Sequence, residues 1–191
     1  KTLEDLQTDY LDLFLIHQPF GDYYGSYRAL EDLQKEGKVL SIGVSNFYPD
    51  RLLDLIMNND VLPQVNQIET SPYFQQYEAN EFINKMGIAH EAWGPFSEGM
   101  DNLFENPILK EIADKNSKTT GQVILRWLYD RGIAAACRSV REERMKENID
   151  IFDFELSKED IENIKELDTG ESPFLDYTDL ETVEEFNEEV I

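Results

Sequence analysis

Short apolar runs alternate with amphipathic stretches along almost the whole chain. The runs at 11–16, 40–44, 64–68, 88–93 and 134–137 are bounded by turn residues. Strands buried on both faces of a parallel sheet have this character. Between them, apolar positions recur at helical spacing. Tyr27, Leu30 and Leu33 share one face, and Gly37 follows as a helix stop. Leu52, Leu53, Leu55 and Ile56 mark the next helix, with Pro49 suited to its first turn. Phe82, Ile83 and Met86 mark another, closed by Gly87. Two helices are predicted over 107–115 and 120–130, the second striped by Val123, Ile124, Trp127 and Leu128. Ser157-Lys158-Glu159-Asp160 is a capped start for a helix containing Ile161, Ile164 and Leu167. Strands alternating with helices predict an α/β fold with a parallel sheet. Periodicity alone leaves an open doubly wound sheet and part of a barrel as alternatives.

Composition narrows the class. The 191 residues, 41% hydrophobic and 12% aromatic, suit one domain with a packed core. A complete (β/α)8 barrel usually takes about 250 residues. The chain opens on Lys1-Thr2-Leu3-Glu4-Asp5-Leu6, which reads as the interior of a helix. A single cysteine, Cys137, excludes an internal disulfide and suits a reducing, cytoplasmic setting. No apolar run is long enough to span a membrane. The net charge of −23 disfavours nucleic acid and anionic membrane as partners. Fourteen acidic residues against two lysines fall from Glu155 onward, so 171–191 is expected to be an acidic tail. No metal site is expected, and no pattern specifies an oligomeric state.

The candidate chemistry lies at the strand ends. His17 follows the first run and could donate to a substrate oxygen, or serve as a structural histidine. Ser45-Asn46 follows the second. It could cap a helix or bind a carboxamide. Gln67 ends the third beside Asn66 and Glu69, where buried polar groups need partners. Trp93-Gly94-Pro95 ends the fourth, with an indole that could pack in the core or stack on a heteroaromatic ligand. After the fifth come Arg138-Ser139-Val140, Arg144 and Glu147-Asn148. A guanidinium, a hydroxyl and a helix start within eleven residues could clamp an anion, or form a capped surface helix with ordinary ion pairs. Five successive strands tipped with polar or aromatic groups match the way barrel active sites are assembled.

At these positions the chain resembles the aldo/keto reductase family. The resemblance runs from Ala29-Leu30-Glu31-Asp32-Leu33 through Gly37-Lys38 to Gly43-Val44-Ser45-Asn46-Phe47. It continues in Val65-Asn66-Gln67-Ile68-Glu69, Glu91-Ala92-Trp93-Gly94-Pro95 and Arg138-Ser139 with Arg144 and Glu147-Asn148, and closes with Ile151-Phe152-Asp153-Phe154-Glu155-Leu156. The resemblance implies a partial (β/α)8 TIM barrel, residues 1–191 forming a single carboxyl-terminal portion with five parallel strands and flanking helices. It implies NADP(H) as cofactor and reversible reduction of an aldehyde or ketone to an alcohol. His17 would be the tetrad histidine. Ser45, Asn46 and Gln67 would hold the nicotinamide carboxamide, and the ring of Trp93 would stack on the nicotinamide beside Gly94 and Pro95. Arg138, Ser139, Val140, Arg144, Glu147 and Asn148 would surround the 2′-phosphate and adenine. The family's aspartate, proton-donating tyrosine and lysine, with the first three strands, are expected to precede Lys1, leaving this chain inactive alone. The alternative is a non-catalytic nucleotide-binding or interaction module of the same fold. Departures from the family pattern are Gln18, Trp93-Gly94, Arg138 in place of lysine, and Ala136-Cys137.

Overall fold

The computed structural model describes residues 1–189. After a short α1 (Thr2–Leu6) come β1 (Leu11–Ile16), α2 (Tyr23–Lys35), β2 (Val39–Ser45), α3 (Pro49–Met57), β3 (Val65–Glu69), α4 (Tyr77–Lys85) and β4 (Ala89–Trp93). An irregular 3₁₀ segment (Ser97–Glu105) follows, then α5 (Pro107–Asn116), α6 (Thr120–Asp130), β5 (Ala134–Ala135), α7 (Glu142–Ile149), α8 (Lys158–Lys165) and α9 (Leu180–Glu189). The five strands are parallel neighbours in chain order, which is the order that right-handed βα units produce. Among the described residues no helix is long and apolar enough to cross a membrane.

Contacts divide the chain into two compact units. The first comprises Lys1–Ile68, Glu78–His90 and the described residues from Asp176 onward; the second comprises Glu69–Tyr77 and Glu91–Leu175.

In the first unit β1 pairs with β2 in the register Leu11↔Val39 to Ile16↔Val44, and β2 pairs with β3 from Gly43↔Val65 to Ser45↔Gln67. Gly43 is required there. A Cβ at this position would lie 2.5 Å from the Val65 carbonyl oxygen and 2.6 Å from Leu15 Cδ2. The helices bury their predicted stripes, Tyr27 and Leu30 from α2, Leu52 and Leu55 from α3, Ile83 from α4, against Ile42, Val44 and Ile68. Two buried polar side chains tie this core to its loops. Glu31 accepts the backbone N–H of Asp60 at 2.9 Å and of Val61 at 2.7 Å, and Asn66 Nδ2 donates to the Phe47 carbonyl at 2.6 Å.

The expected acidic tail is not simply a solvated appendage. Residues 171–175 belong to the second unit. In the first, Tyr177 is buried, Phe186 of α9 stacks on Phe20 at 5.1 Å, and Asn187 Oδ1 accepts the Gly21 N–H at 3.2 Å. The carboxylates of α9 occupy the helix while its aromatic side chain carries the packing. Val190 and Ile191, the end of the expected tail, lie outside the described residues.

The second unit packs Leu109, Ile112, Val123, Ile124, Trp127, Leu128 and Ile164 around Ala92. Thr119 and Gln122 close a capping box on α6, as Ser157 and Asp160 do on α8. β5 is shorter than the apolar run at 134–137 predicts. Ala136 still donates to the Ala92 carbonyl at 2.9 Å, but the chain then leaves the sheet, and the Cys137 thiol accepts from Asn148 Nδ2 at 3.4 Å.

Candidate active site

In the first unit the tips of β1, β2 and β3 are stitched together. Asn46 adopts a left-handed φ of 64°, which asparagine tolerates better than most residues. This turn aims its backbone N–H at the Gln67 carbonyl, 2.9 Å away, and its Nδ2 at the His17 carbonyl, 3.1 Å, and at Gln18 Oε1, 3.2 Å. Ser45 Oγ donates to the same Gln67 carbonyl at 2.9 Å. Ser45 and Asn46 are buried, whereas His17 is exposed. The helix-cap alternative for Ser45-Asn46 does not hold, because the N-cap of α3 is Tyr48. Ser45, Asn46, Gln67 and His17 therefore come together at one end of three adjacent strands.

Two tyrosines near His17 in sequence have partners of their own. The Tyr24 hydroxyl donates to Asp54 Oδ2, and that bond holds its pKa above the ordinary phenol value. Tyr23 lies edge-on to Phe47 at 5.2 Å.

In the second unit Trp93 ends β4, half-buried, with its ring 5.4 Å from that of Phe174. Gly94 follows with φ 59°, and Pro95 is buried. Arg138, Ser139, Arg144, Glu147 and Asn148 line one cleft of about 330 Å³. Arg144, Glu147 and Asn148 stand at i, i+3 and i+4 on α7 and so share a face. Val140, 87% exposed, is not among the lining residues, and neither are Trp93, Gly94 and Pro95. The opposite wall was not anticipated from sequence: Thr119, Thr120 and Gly121 at the start of α6, with Phe96 and Phe104, whose rings are 5.5 Å apart. The Thr-Thr-Gly ahead of an apolar stripe was the available signal, since it marks a helix N-terminus.

Forty carboxylates are set against seventeen lysines and arginines, and the side chains of Arg138 and Arg144 have no ion-pair or hydrogen-bond partner among the described residues. Two guanidiniums and the N-terminal end of an eleven-residue helix line one cleft, and both carry the positive charge that attracts an anion. The flanking aromatic pair offers a surface for a planar ring, and Glu147 supplies an acceptor for an amino group. Elsewhere, Arg131 lies between the rings of Tyr77 and Trp127, at 4.2 and 4.5 Å from their centroids, and burial lowers its pKa to about 10. Among the described residues no group of three or more His, Cys, Asp or Glu could hold a metal ion.

The aldo/keto reductase family model matches residues 1–169. This chain belongs to the aldo/keto reductase family. It is 46% identical over 172 residues to glyoxal reductase of Bacillus subtilis (strain 168), covering 90% of this chain and 62% of that protein. It is 37% identical to methylglyoxal reductase DkgA of Escherichia coli (strain K12), again over 62% of that protein. Among solved structures it superposes on an aldo/keto reductase from Brucella melitensis with a TM-score of 0.82 at 45% identity, covering 87% of this chain and 65% of that one. It superposes on an aldo-keto reductase of Bombyx mori in complex with NADP with a TM-score of 0.86 at 31% identity, covering 94% and 64% respectively. The chain thus spans about 62% of the length of these curated relatives, and its five parallel strands are a portion of the family's (β/α)8 barrel.

Proposed function

We propose that the protein to which this chain contributes is an NADP(H)-dependent carbonyl reductase, acting reversibly on small aldehydes and ketones. The observation that carries this reading is the cleft with two unpaired guanidiniums in a chain of net charge −23. A phosphomonoester is the anion that such a pair suits best, and the Phe96–Phe104 pair fits the adjoining adenine. In this assignment Arg138, Ser139 and Arg144 bind the 2′-phosphate, and Glu147 and Asn148 face the adenine. Val140 is left as a neighbour in sequence only. Trp93, with Gly94 and Pro95 shaping its loop, stacks on the nicotinamide. Ser45, Asn46 and Gln67 hold the carboxamide.

Bound there, the cofactor would supply the hydride. His17 then orients the substrate carbonyl by donating a hydrogen bond to its oxygen. The groups that the family resemblance assigns to proton donation, a tyrosine tuned by a lysine and an aspartate, have no counterpart among the residues of this chain. Small α-dicarbonyl compounds are the substrate class favoured by the similarity to glyoxal and methylglyoxal reductases.

Fluorescence titration with NADPH and NADH tests the reading. Arg138→Ala and Arg144→Ala should each weaken NADPH binding by roughly 10- to 150-fold, the value of a charge-assisted bond of about 1.5–3 kcal/mol. NADH binding should change little. Equal losses for both cofactors would make the arginines structural. Tight NADPH binding by the whole protein without turnover of any carbonyl compound would favour the non-catalytic module.

A further inference from the structure

Glu69 ends β3 with its carboxyl group wholly enclosed. Enclosed carboxyl groups ordinarily collect several donors. Among the described residues Glu69 has one: Ser172 Oγ donates to Oε2 at 2.5 Å, while Oε1 is buried with no hydrogen-bond partner there. The sense of the bond follows from Ser172's other contacts. Its oxygen accepts the backbone N–H of Phe174 and that of Leu175, each at 3.0 Å. Both acceptor positions are filled, so the single hydroxyl hydrogen goes to Glu69. Carboxyl, hydroxyl and two amides therefore form one relay that shapes the turn from Ser172 to Leu175.

What this turn carries is Phe174. Its ring lies 5.4 Å from Trp93 at a 52° tilt, and its Cε2 would be 3.6 Å from a Cβ built on Gly94. The chain before it is fastened independently, since Thr169 donates from both its backbone N–H and its hydroxyl to the Tyr73 carbonyl, at 2.8 and 2.7 Å. Removing Glu69 from the relay would thus leave residues up to Thr169 in place and release the turn that seats Phe174. Phe174 in turn supports one side of the Trp93 indole. Burial also pushes the Glu69 carboxyl up to about 7, against the lowering effect of Ser172, so the group is held at a cost to its ionised form.

We propose that Glu69 is a positioning residue: through Ser172 and Phe174 it fixes the tilt of the Trp93 ring, and so the placement of the ring system that stacks on it. Its kinetic consequence rests on the carbonyl-reductase reading; its structural consequence does not.

Two readouts in the full protein separate these. The first is acrylamide quenching of Trp93, with Trp93→Phe giving the baseline from every other tryptophan, among them Trp127, which is 1% exposed. Phe174→Ala defines the fully unshielded indole. Ser172→Ala and Glu69→Ala should shift Trp93 quenching toward that limit. Glu69→Gln keeps an amide oxygen for the Ser172 hydroxyl and should restore shielding. The second readout is steady-state and binding data. Ser172→Ala and Glu69→Ala should lower kcat by roughly 10- to 100-fold, as small misplacements of reacting groups do. NADPH affinity and carbonyl KM should hold, and Glu69→Gln should recover kcat. Should Glu69→Ala fail to fold, Ser172→Ala decides. Wild-type shielding of Trp93 in Ser172→Ala, or Glu69→Gln behaving as Glu69→Ala, overturns the proposal. Loss of NADPH binding in the wild-type protein would instead overturn the carbonyl-reductase reading and leave the quenching result standing.

Discussion

Replacing Glu69 with glutamine should change how the protein's stability responds to pH. The carboxyl is fully buried, and burial pushes its pKa from 4.5 to about 7 in the folded protein. Between these two values the folded state keeps a proton that the unfolded chain has released. Stability contributed by this group is therefore greatest below 4.5, falls as pH rises through the interval, and is lost above about 7. At about 1.4 kcal/mol per pH unit, the interval corresponds to about 3 kcal/mol. Glutamine stays neutral throughout, and its carbonyl oxygen can still accept from Ser172. Its amide nitrogen takes the position of the unpartnered Oε1, which costs about 1–3 kcal/mol at every pH and so does not tilt the comparison. The other carboxylates of this −23 chain titrate alike in both proteins and cancel in the difference. Urea unfolding of wild type and Glu69→Gln between about pH 5 and about pH 8 measures the effect, given equal m-values. The variant should gain on wild type by about 2–3 kcal/mol across that range. A stability difference that does not change with pH would show that Glu69 ionises as it does in the unfolded chain, and the burial argument would fail.

Other positions carry their own expectations. Gly43→Ala forces a Cβ against the Val65 carbonyl and Leu15, and should lower stability by about 1–3 kcal/mol, read from the urea midpoint. Asn66→Ala removes the donor to the buried Phe47 carbonyl and should cost about 1–3 kcal/mol, with amide exchange at the tips of β2 and β3 accelerating first. Trp127→Ala empties the middle of the second unit's core and should cost about 3–5 kcal/mol, while a loss below 1 kcal/mol would mean that the site collapses without strain. Thr119→Ala removes the α6 cap at the wall of the arginine-lined cleft. It should cost about 1 kcal/mol and weaken NADPH binding less than Arg138→Ala does.

Much of this molecule follows from local pattern. β1 falls on residues 11–16 and α6 on 120–130 where periodicity puts them, because buried strands and amphipathic helices are dictated by which neighbours must be apolar. Arg144, Glu147 and Asn148 share a face for the same reason, once α7 is a helix. Charge pattern also made the arginines conspicuous before any geometry was known.

Other features depend on residues far apart in sequence, and no local period encodes them. β5 stops after Ala135 because an edge is decided by pairing partners rather than by hydrophobicity. Asn46 joins three strand tips only because the sheet register brings His17 and Gln67 beside it. The second wall of the cleft comes from α6, whose capping residues announced a helix start and said nothing of what it would face. Glu69 read as one more polar residue at a strand end. Its burial, which raises its pKa, and its donor 103 positions away, Ser172, which opposes that rise, both depend on the folded chain. Charge density, a local property, marks 171–191 as an acidic tail, while the seats of Tyr177, Phe186 and Phe174 exist only in the folded chain. Sequence determined which segments had to be strands and helices and which residues could do chemistry. Tertiary structure decided which of those residues meet, because a hydrogen bond or a desolvated carboxyl depends on distance through space and not along the chain.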